Sequence, residues 1–199
     1  KPNFLATDPG PGDGRGGYAL FVGRLAEEKG IHILAEAWHR LDRVPLLVAG
    51  DGTLRGIDWP KGVAILGPQT HRQVLTLMRG ARLLIFPSIW YECAPLTIIE
   101  ALACGLPVIA SNLGSIPEFV ADRRTGLLFR PSDSEDLAAQ VQWAFNHLEQ
   151  IQTMRAAARR EFEEKYTADR NYKMLMNIYE LAIANSRRAV SRRLLKENP

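Results

Sequence analysis

Two basic and two acidic side chains offer the chemistry of this sequence. Arg24 and Lys29 lie five residues apart in Gly23-Arg24-Leu25-Ala26-Glu27-Glu28-Lys29-Gly30, directly after the apolar run 18–22. Arginine presents a planar fork and lysine a mobile point charge, and a diphosphate has oxygens for both. The competing reading of the segment is a solvated helix start in which Glu27 and Glu28 pair with the cations. Glu92 and Glu100 lie in PSIWYECAPLTIIE, residues 87–100. Two carboxylates suit the acid and base of a sugar hydrolase, which needs roughly 5 to 9.5 Å between them. They equally suit two vicinal diols, one accepting from a ribose and the other from a hexose. The plainer reading is that Glu92 complements a helix dipole and Glu100 faces solvent.

Between those carboxylates, Pro95 fits the first helical position, where its missing N–H costs nothing. The amides of Leu96 and Thr97 then point out of a helix N-terminus, an anion site. Gly50-Asp51-Gly52 permits a tight turn or close backbone approach. Gly67-Pro68-Gln69-Thr70, after Leu66, is either a wall for a flat base or a capped turn. No G-x-G-x-x-G or phosphate-loop pattern follows the first apolar run, which disfavours NAD and the P-loop hydrolases. Gly12, Gly14, Gly16 and Gly17 precede that run instead. Cys93 has no histidine close in sequence and is taken as a packing residue, and Cys93 and Cys104 lack zinc-ligand spacing.

These residues need a frame that brings loops together. Apolar runs at 18–22, 45–49, 63–66, 83–86, 107–110 and 125–129 alternate with stretches of helical period. Six strands alternating with helices predict an α/β, Rossmann-like, doubly wound parallel sheet with helices on both faces. Ligands of such sheets bind outside the carboxyl ends of the strands, where every segment above falls. Thr70 with Gln73, Ser115 with Glu118 and Ser132 with Glu135 have the capping-box spacing and predict three helix starts. From about 134 to 185 strand signals stop, and Leu137, Val141, Phe145 and Leu148 predict a helical C-terminal section.

The 199 residues suffice for one sizeable domain. The expected division is a linker over 1–17, a ligand-binding domain over 18–185 and a basic tail over 186–199. Of the 25 basic and 22 acidic residues, five cations and one carboxylate fall in the last 13, leaving the body with 20 and 21. That balance gives no basic surface for nucleic acid. No apolar run approaches the roughly 20 residues of a membrane span. Two cysteines indicate a reducing compartment, the cytoplasm by default. The tail, with Arg187, Arg188, Arg192 and Arg193 among Val190, Leu194 and Leu195, has the composition of a solvated helix end or of a weak contact with anionic lipid at the inner membrane face.

The order of GRLAEEKG followed by PSIWYECAPLTIIEALACGLPVIAS, with seven residues between Glu92 and Glu100, resembles the C-terminal half of a family 4 (group 1) retaining glycosyltransferase of the GT-B type. The likeness runs from about Tyr18 to Ala184. It implies that Arg24 and Lys29, with Gly23, bind the diphosphate of a nucleotide sugar, and that amides after Glu92, at Ala94, Leu96 and Thr97, help hold phosphate and sugar. It implies further that Glu100 holds the ribose, that Glu92 contacts the donor sugar, and that Gly50, Gly52, Leu66, Gly67 and Gln69 line the base. Glu118, also in a familiar stretch, is left out because the Ser115 cap explains it. Where many relatives have Gly or Ser and then an aromatic residue, this chain has Cys93-Ala94-Pro95.

The expected activity is therefore transfer of a hexose from a nucleotide-diphosphate sugar with retention, with Arg24, Lys29 and Glu92 in the chemistry and no metal or further cofactor. The expected partners are the donor, an N-terminal acceptor-binding domain of the same polypeptide, and an acceptor sugar or lipid-linked glycan. The fragment alone is expected to be inactive. Alternatives are a nucleotide-sugar-binding module without turnover and a GT-B-type epimerase; a phosphorylase is disfavoured, because Lys61, Lys165 and Lys173 have no phosphate-binding loop beside them.

Overall fold

A computed structural model describes the backbone of residues 1–52 and 57–197, with side chains through residue 186. Six strands, β1 (Ala19–Val22), β2 (Leu46–Ala49), β3 (Val63–Gly67), β4 (Leu83–Phe86), β5 (Val108–Ser111) and β6 (Gly126–Phe129), form one sheet in the order β3-β2-β1-β4-β5-β6. All five pairings are parallel. The helices are α1 (Ile31–His39), α2 (His71–Gly80), α3 (Leu96–Ala103), α4 (Ile116–Phe119), α5 (Ser134–Asn146), α6 (Leu148–Lys165) and α7 (Ala168–Glu197). The doubly wound architecture is the expected one, and each strand lies within a residue of its apolar run.

The continuous apolar strands are explained by two cores, one on each face. Alternate residues of β4 divide between them: Leu84 and Phe86 pack with α2, α3 and the C-terminal half of α6, whereas Leu83 and Ile85 pack with α1, α5 and the start of α6. A strand covered on both sides is apolar along most of its length.

Three boundary expectations are corrected. Only Thr70 forms the capping box, its side chain accepting from the Gln73 amide while the Gln73 side chain accepts from the Thr70 amide. Ser115 makes no cap at α4; its hydroxyl donates to the carbonyl of Glu92, because the chain enters α4 already in helical backbone geometry and leaves the Oγ free to reach the neighbouring loop. At α5 the cap is Asp133, which accepts from the Asp136 amide at 2.8 Å. Ser132, one residue earlier, has a left-handed φ of 61°. The period through Leu148 also spans a break, since His147 separates α5 from α6 and Leu148 is exposed.

The Gly- and Pro-rich segment 1–17 lies along the domain. The Leu5 amide donates to the Tyr166 carbonyl at 3.0 Å, Gly12 to Cys104 at 2.9 Å, Gly14 to Arg79 at 3.1 Å and Gly16 to Gly80 at 2.9 Å. Two arginines of α6 clamp it. Buried Arg155 donates to the carbonyls of Ala81 and Gly12, and Arg159 makes a two-pronged pair with the Asp8 carboxylate and donates to the Ala103 carbonyl. Beyond Asn171, which accepts from Lys1 Nζ at 2.7 Å, α7 carries Tyr172, Ile178, Tyr179, Leu181 and Ile183 exposed. The arginine side chains of the basic tail lie outside the described residues, and with them the expected lipid contact. No described helix is long and apolar enough to cross a membrane.

Candidate functional site

The site forms where strand order reverses. β1 and β4 are neighbours, yet β1 leads through α1 to β2 on one side and β4 through α3 to β5 on the other, so a crevice opens between their carboxyl ends. Its floor is backbone. The Gly23 amide donates to Ala49 at 3.1 Å, Gly50 to Gly67 at 2.9 Å and Leu25 to Asp51 at 2.9 Å. A Cβ on Gly50 would lie 1.8 Å from the Gly23 carbonyl oxygen, and one on Gly52 would lie 2.3 Å from that of Leu25. Glycine is thus required by the approach of the two loops. Gly23, Arg24, Gly50, Asp51, Pro68 and Gln69 border a cavity of about 270 Å³. Gln69 is held in place by donation from Nε2 to the Leu66 carbonyl at 2.9 Å.

A second hollow, of about 410 Å³, is lined by Arg24, Glu28, Lys29, Trp90 and Glu92. Arg24 belongs to both. The segment after Leu25 winds into a single 3-10 turn, Glu27–Lys29, closed by Gly30 at φ 67°. A Cβ on Gly30 would meet the Pro87 carbonyl at 1.9 Å, so this turn sits directly on the β4 loop. The Glu28 carbonyl receives the Ile89 amide at 3.1 Å and fixes the two loops together. That join places Lys29 Nζ 2.5 Å from Glu92 Oε1, with both side chains largely shielded. Arg24, by contrast, is exposed and pairs with Glu28. The carboxylate alternative raised for the cations therefore holds for Arg24, while Lys29 pairs across the site.

Ser88 is buried, and its hydroxyl lies 3.0 Å from Glu92 Oε1, 3.1 Å from the Glu28 carbonyl and 3.3 Å from that of Trp90. With one hydrogen to give, Ser88 serves one of these acceptors at a time. Lys29 and Ser88 both address Oε1, which leaves Oε2 of Glu92 without a side-chain donor among the described residues. The Glu92 main chain is held by Ser115, and a Cβ on Gly114 would press on the Tyr91 ring at 2.7 Å.

Pro95 is the N-cap of α3 and Leu96 its first residue, one position later than expected, because φ and ψ of −71° and 107° keep Pro95 extended. The Pro95 carbonyl receives the Ile98 and Ile99 amides, so those of Leu96 and Thr97 keep the free orientation of a first turn. Glu100, one turn further, is reached by His71 of α2, with Nε2 and Oε1 2.8 Å apart. Ala94 lines a different hollow. With Cys93, Asn3, Glu118, Tyr166 and Met174 it borders a cavity of about 560 Å³, which includes none of Arg24, Lys29, Glu92 or Glu100.

Sequence reasoning missed Ser88 and His71, and assigned Ser115 to a helix cap rather than to the Glu92 loop. Nothing in the spacing marks a serine two residues into a loop as a carboxylate partner. His71 was reachable, since a residue directly after the Thr70 cap must start α2 at the carboxyl end of β3.

The chain belongs to the glycosyl transferases group 1 family, whose pattern matches residues 16–147. It is 37% identical over 134 residues to the D-inositol 3-phosphate glycosyltransferase of Mycobacteroides abscessus, covering 61% of this chain and 30% of that one. It is 32% identical over 161 residues to the glycogen synthase of Mycobacterium tuberculosis, covering 74% and 38%. Among solved structures, sucrose-phosphate synthase from Thermosynechococcus elongatus superposes with a TM-score of 0.80 at 23% identity, over 92% of this chain and 52% of that one. The chain thus spans less than half the length of these curated relatives and about half of the solved one. It is a glycosyltransferase domain of Rossmann-like α/β fold.

Proposed function

We propose that this domain binds the donor, a nucleotide-diphosphate sugar, and that with an acceptor-binding N-terminal domain it transfers a hexose to a sugar or lipid-linked glycan with retention of configuration. The observation that carries the reading is the pair of hollows joined at Arg24, one walled by backbone and the other by two cations and Glu92. A flat base suits the first, and a diphosphate with its sugar suits the second. The Anabaena protein HepE, of the same fold with a TM-score of 0.73 at 22% identity, was crystallised with UDP and glucose, which supports this ligand class.

In this reading Arg24 exchanges Glu28 for a phosphate oxygen. Exposed ion pairs contribute little, at most about 1 kcal/mol, so the exchange is easy. Lys29 shares its three hydrogens between Glu92 and the diphosphate, offsetting the charge that develops as the leaving group departs. Glu92, with Oε1 already engaged, accepts from a sugar hydroxyl through Oε2. The Leu96 and Thr97 amides add donors for phosphate or sugar, and Glu100 accepts from the ribose. The diphosphate leaves the anomeric carbon from the same face on which the acceptor hydroxyl attacks, and the acceptor's proton passes to the departing phosphate oxygen, with no obligatory protein nucleophile and no metal or other cofactor assigned.

Calorimetric titration with UDP, GDP and ADP tests the donor site: one diphosphate binds selectively, and Glu100→Ala abolishes most of that binding. Failure of all three to bind the domain removes the reading. In the full-length enzyme, Arg24→Ala and Lys29→Ala each lower kcat/KM by about 100-fold or more, the magnitude typical of losing one charge-stabilising donor. Unchanged turnover excludes these residues from the chemistry.

A further inference from the structure

We infer that His71 is a positioning residue for Glu100, holding one carboxylate oxygen so that the other is aimed at the ribose hydroxyls; the inference rests on the donor-site reading above. His71 is the first residue of α2, and its location is fixed twice, by the Thr70–Gln73 capping box and by its own ring. Glu100 belongs to α3, reached from a different strand. Among the described residues their contact is the single hydrogen bond joining α2 to α3, at 2.8 Å.

The chemistry gives the bond a direction. A carboxylate only accepts, so Nε2 must carry the hydrogen. Oε1 is the atom engaged, and no described side chain donates to Oε2. A glutamate has three rotatable side-chain bonds, and ordering them on binding weakens affinity unless they are ordered beforehand. The Glu100 side chain is 15% exposed and that of His71 69%, so the histidine forms an outer wall with the carboxylate behind it. An imidazole there does what a second ligand contact would otherwise do: it selects one rotamer of Glu100 before the nucleotide arrives. His71 itself needs no contact with the ligand.

The test compares ribonucleotides with their 2′,3′-dideoxy counterparts. UDP, GDP and ADP, and the dideoxy form of whichever binds, are titrated into the wild-type domain, Glu100→Ala, His71→Ala and His71→Gln. The wild type prefers the ribonucleotide, and Glu100→Ala removes that preference. His71→Ala weakens the ribonucleotide about tenfold, the effect of one hydrogen bond to a charged group, and leaves the dideoxy form unchanged. His71→Gln, which restores an N–H donor, recovers at least half of the loss on a logarithmic scale. Equal weakening of both nucleotides by His71→Ala, or no weakening of either, overturns the positioning role while the ribose preference keeps the donor reading intact. Loss of that preference in the wild type overturns the donor reading and the inference together. Thermal unfolding of His71→Ala, an exposed position, stays within a few degrees of wild type, which separates positioning from loss of fold.

Discussion

At the level of single residues the crevice is a contact between loops that leaves no room for a side chain. Gly50 has φ 152° and its missing Cβ would overlap the Gly23 carbonyl. Gly50→Ala therefore destabilises the domain by more than about 2 kcal/mol, measured by urea unfolding, and weakens nucleotide binding because β1 and β2 loops must separate. The cysteines differ in the same local way. Burial pushes the Cys104 thiol up to about 11, so only about one molecule in a thousand carries the thiolate at pH 8. Cys93 is exposed. Iodoacetamide at pH 8 adds one label per native chain, counted by mass spectrometry, and a second only after denaturation.

Among the secondary elements, the ends of helices separate sequence patterns from physical causes. Asp133, not Ser132, caps α5, so Asp133→Ala lowers stability by about 1 kcal/mol. Ser132→Gly raises it by a few tenths to about 1 kcal/mol, because a left-handed φ of 61° suits glycine; paired denaturant curves read both changes. The strands were legible because burial on both faces writes an unbroken apolar run, as in Leu83-Leu84-Ile85-Phe86. The capping boxes were legible once in three, since the same Ser-x-x-Glu spacing arises wherever a serine serves another loop, as Ser115 does for Glu92. Arg24, Lys29 and Glu92 were legible as candidates because charged residues followed strands that end at one edge of the sheet. Their pairing was not, because Lys29 with Glu92 and His71 with Glu100 join residues 63 and 29 positions apart, and only the crossing of the chain between β1 and β4 decides which meet.

Across the whole molecule, the strap of residues 1–17 unites the ends of α2, α3 and α6 through Arg155 and Arg159. The Arg159 hydrogen bond holds the Asp8 carboxyl below the ordinary carboxylate range, although partial burial opposes it. The folded chain thus takes up this proton at lower pH than the unfolded chain. The stabilisation is complete above the ordinary carboxylate pKa and is lost as pH falls through the depressed folded value. Urea midpoints followed from pH 6 downward fall less steeply for Asp8→Asn than for wild type in that acid range; parallel curves exclude this pair as a contributor.

The floor of the crevice is made of backbone. Because Gly23, Gly50 and Gly67 build it by hydrogen bonding to one another and to Ala49, the shape of the hollow is inherited with the topology and asks nothing of the side chains at its rim. Substitution of Pro68 or Gln69 at the rim therefore reshapes the mouth of the hollow while the floor's own hydrogen bonds stay in place.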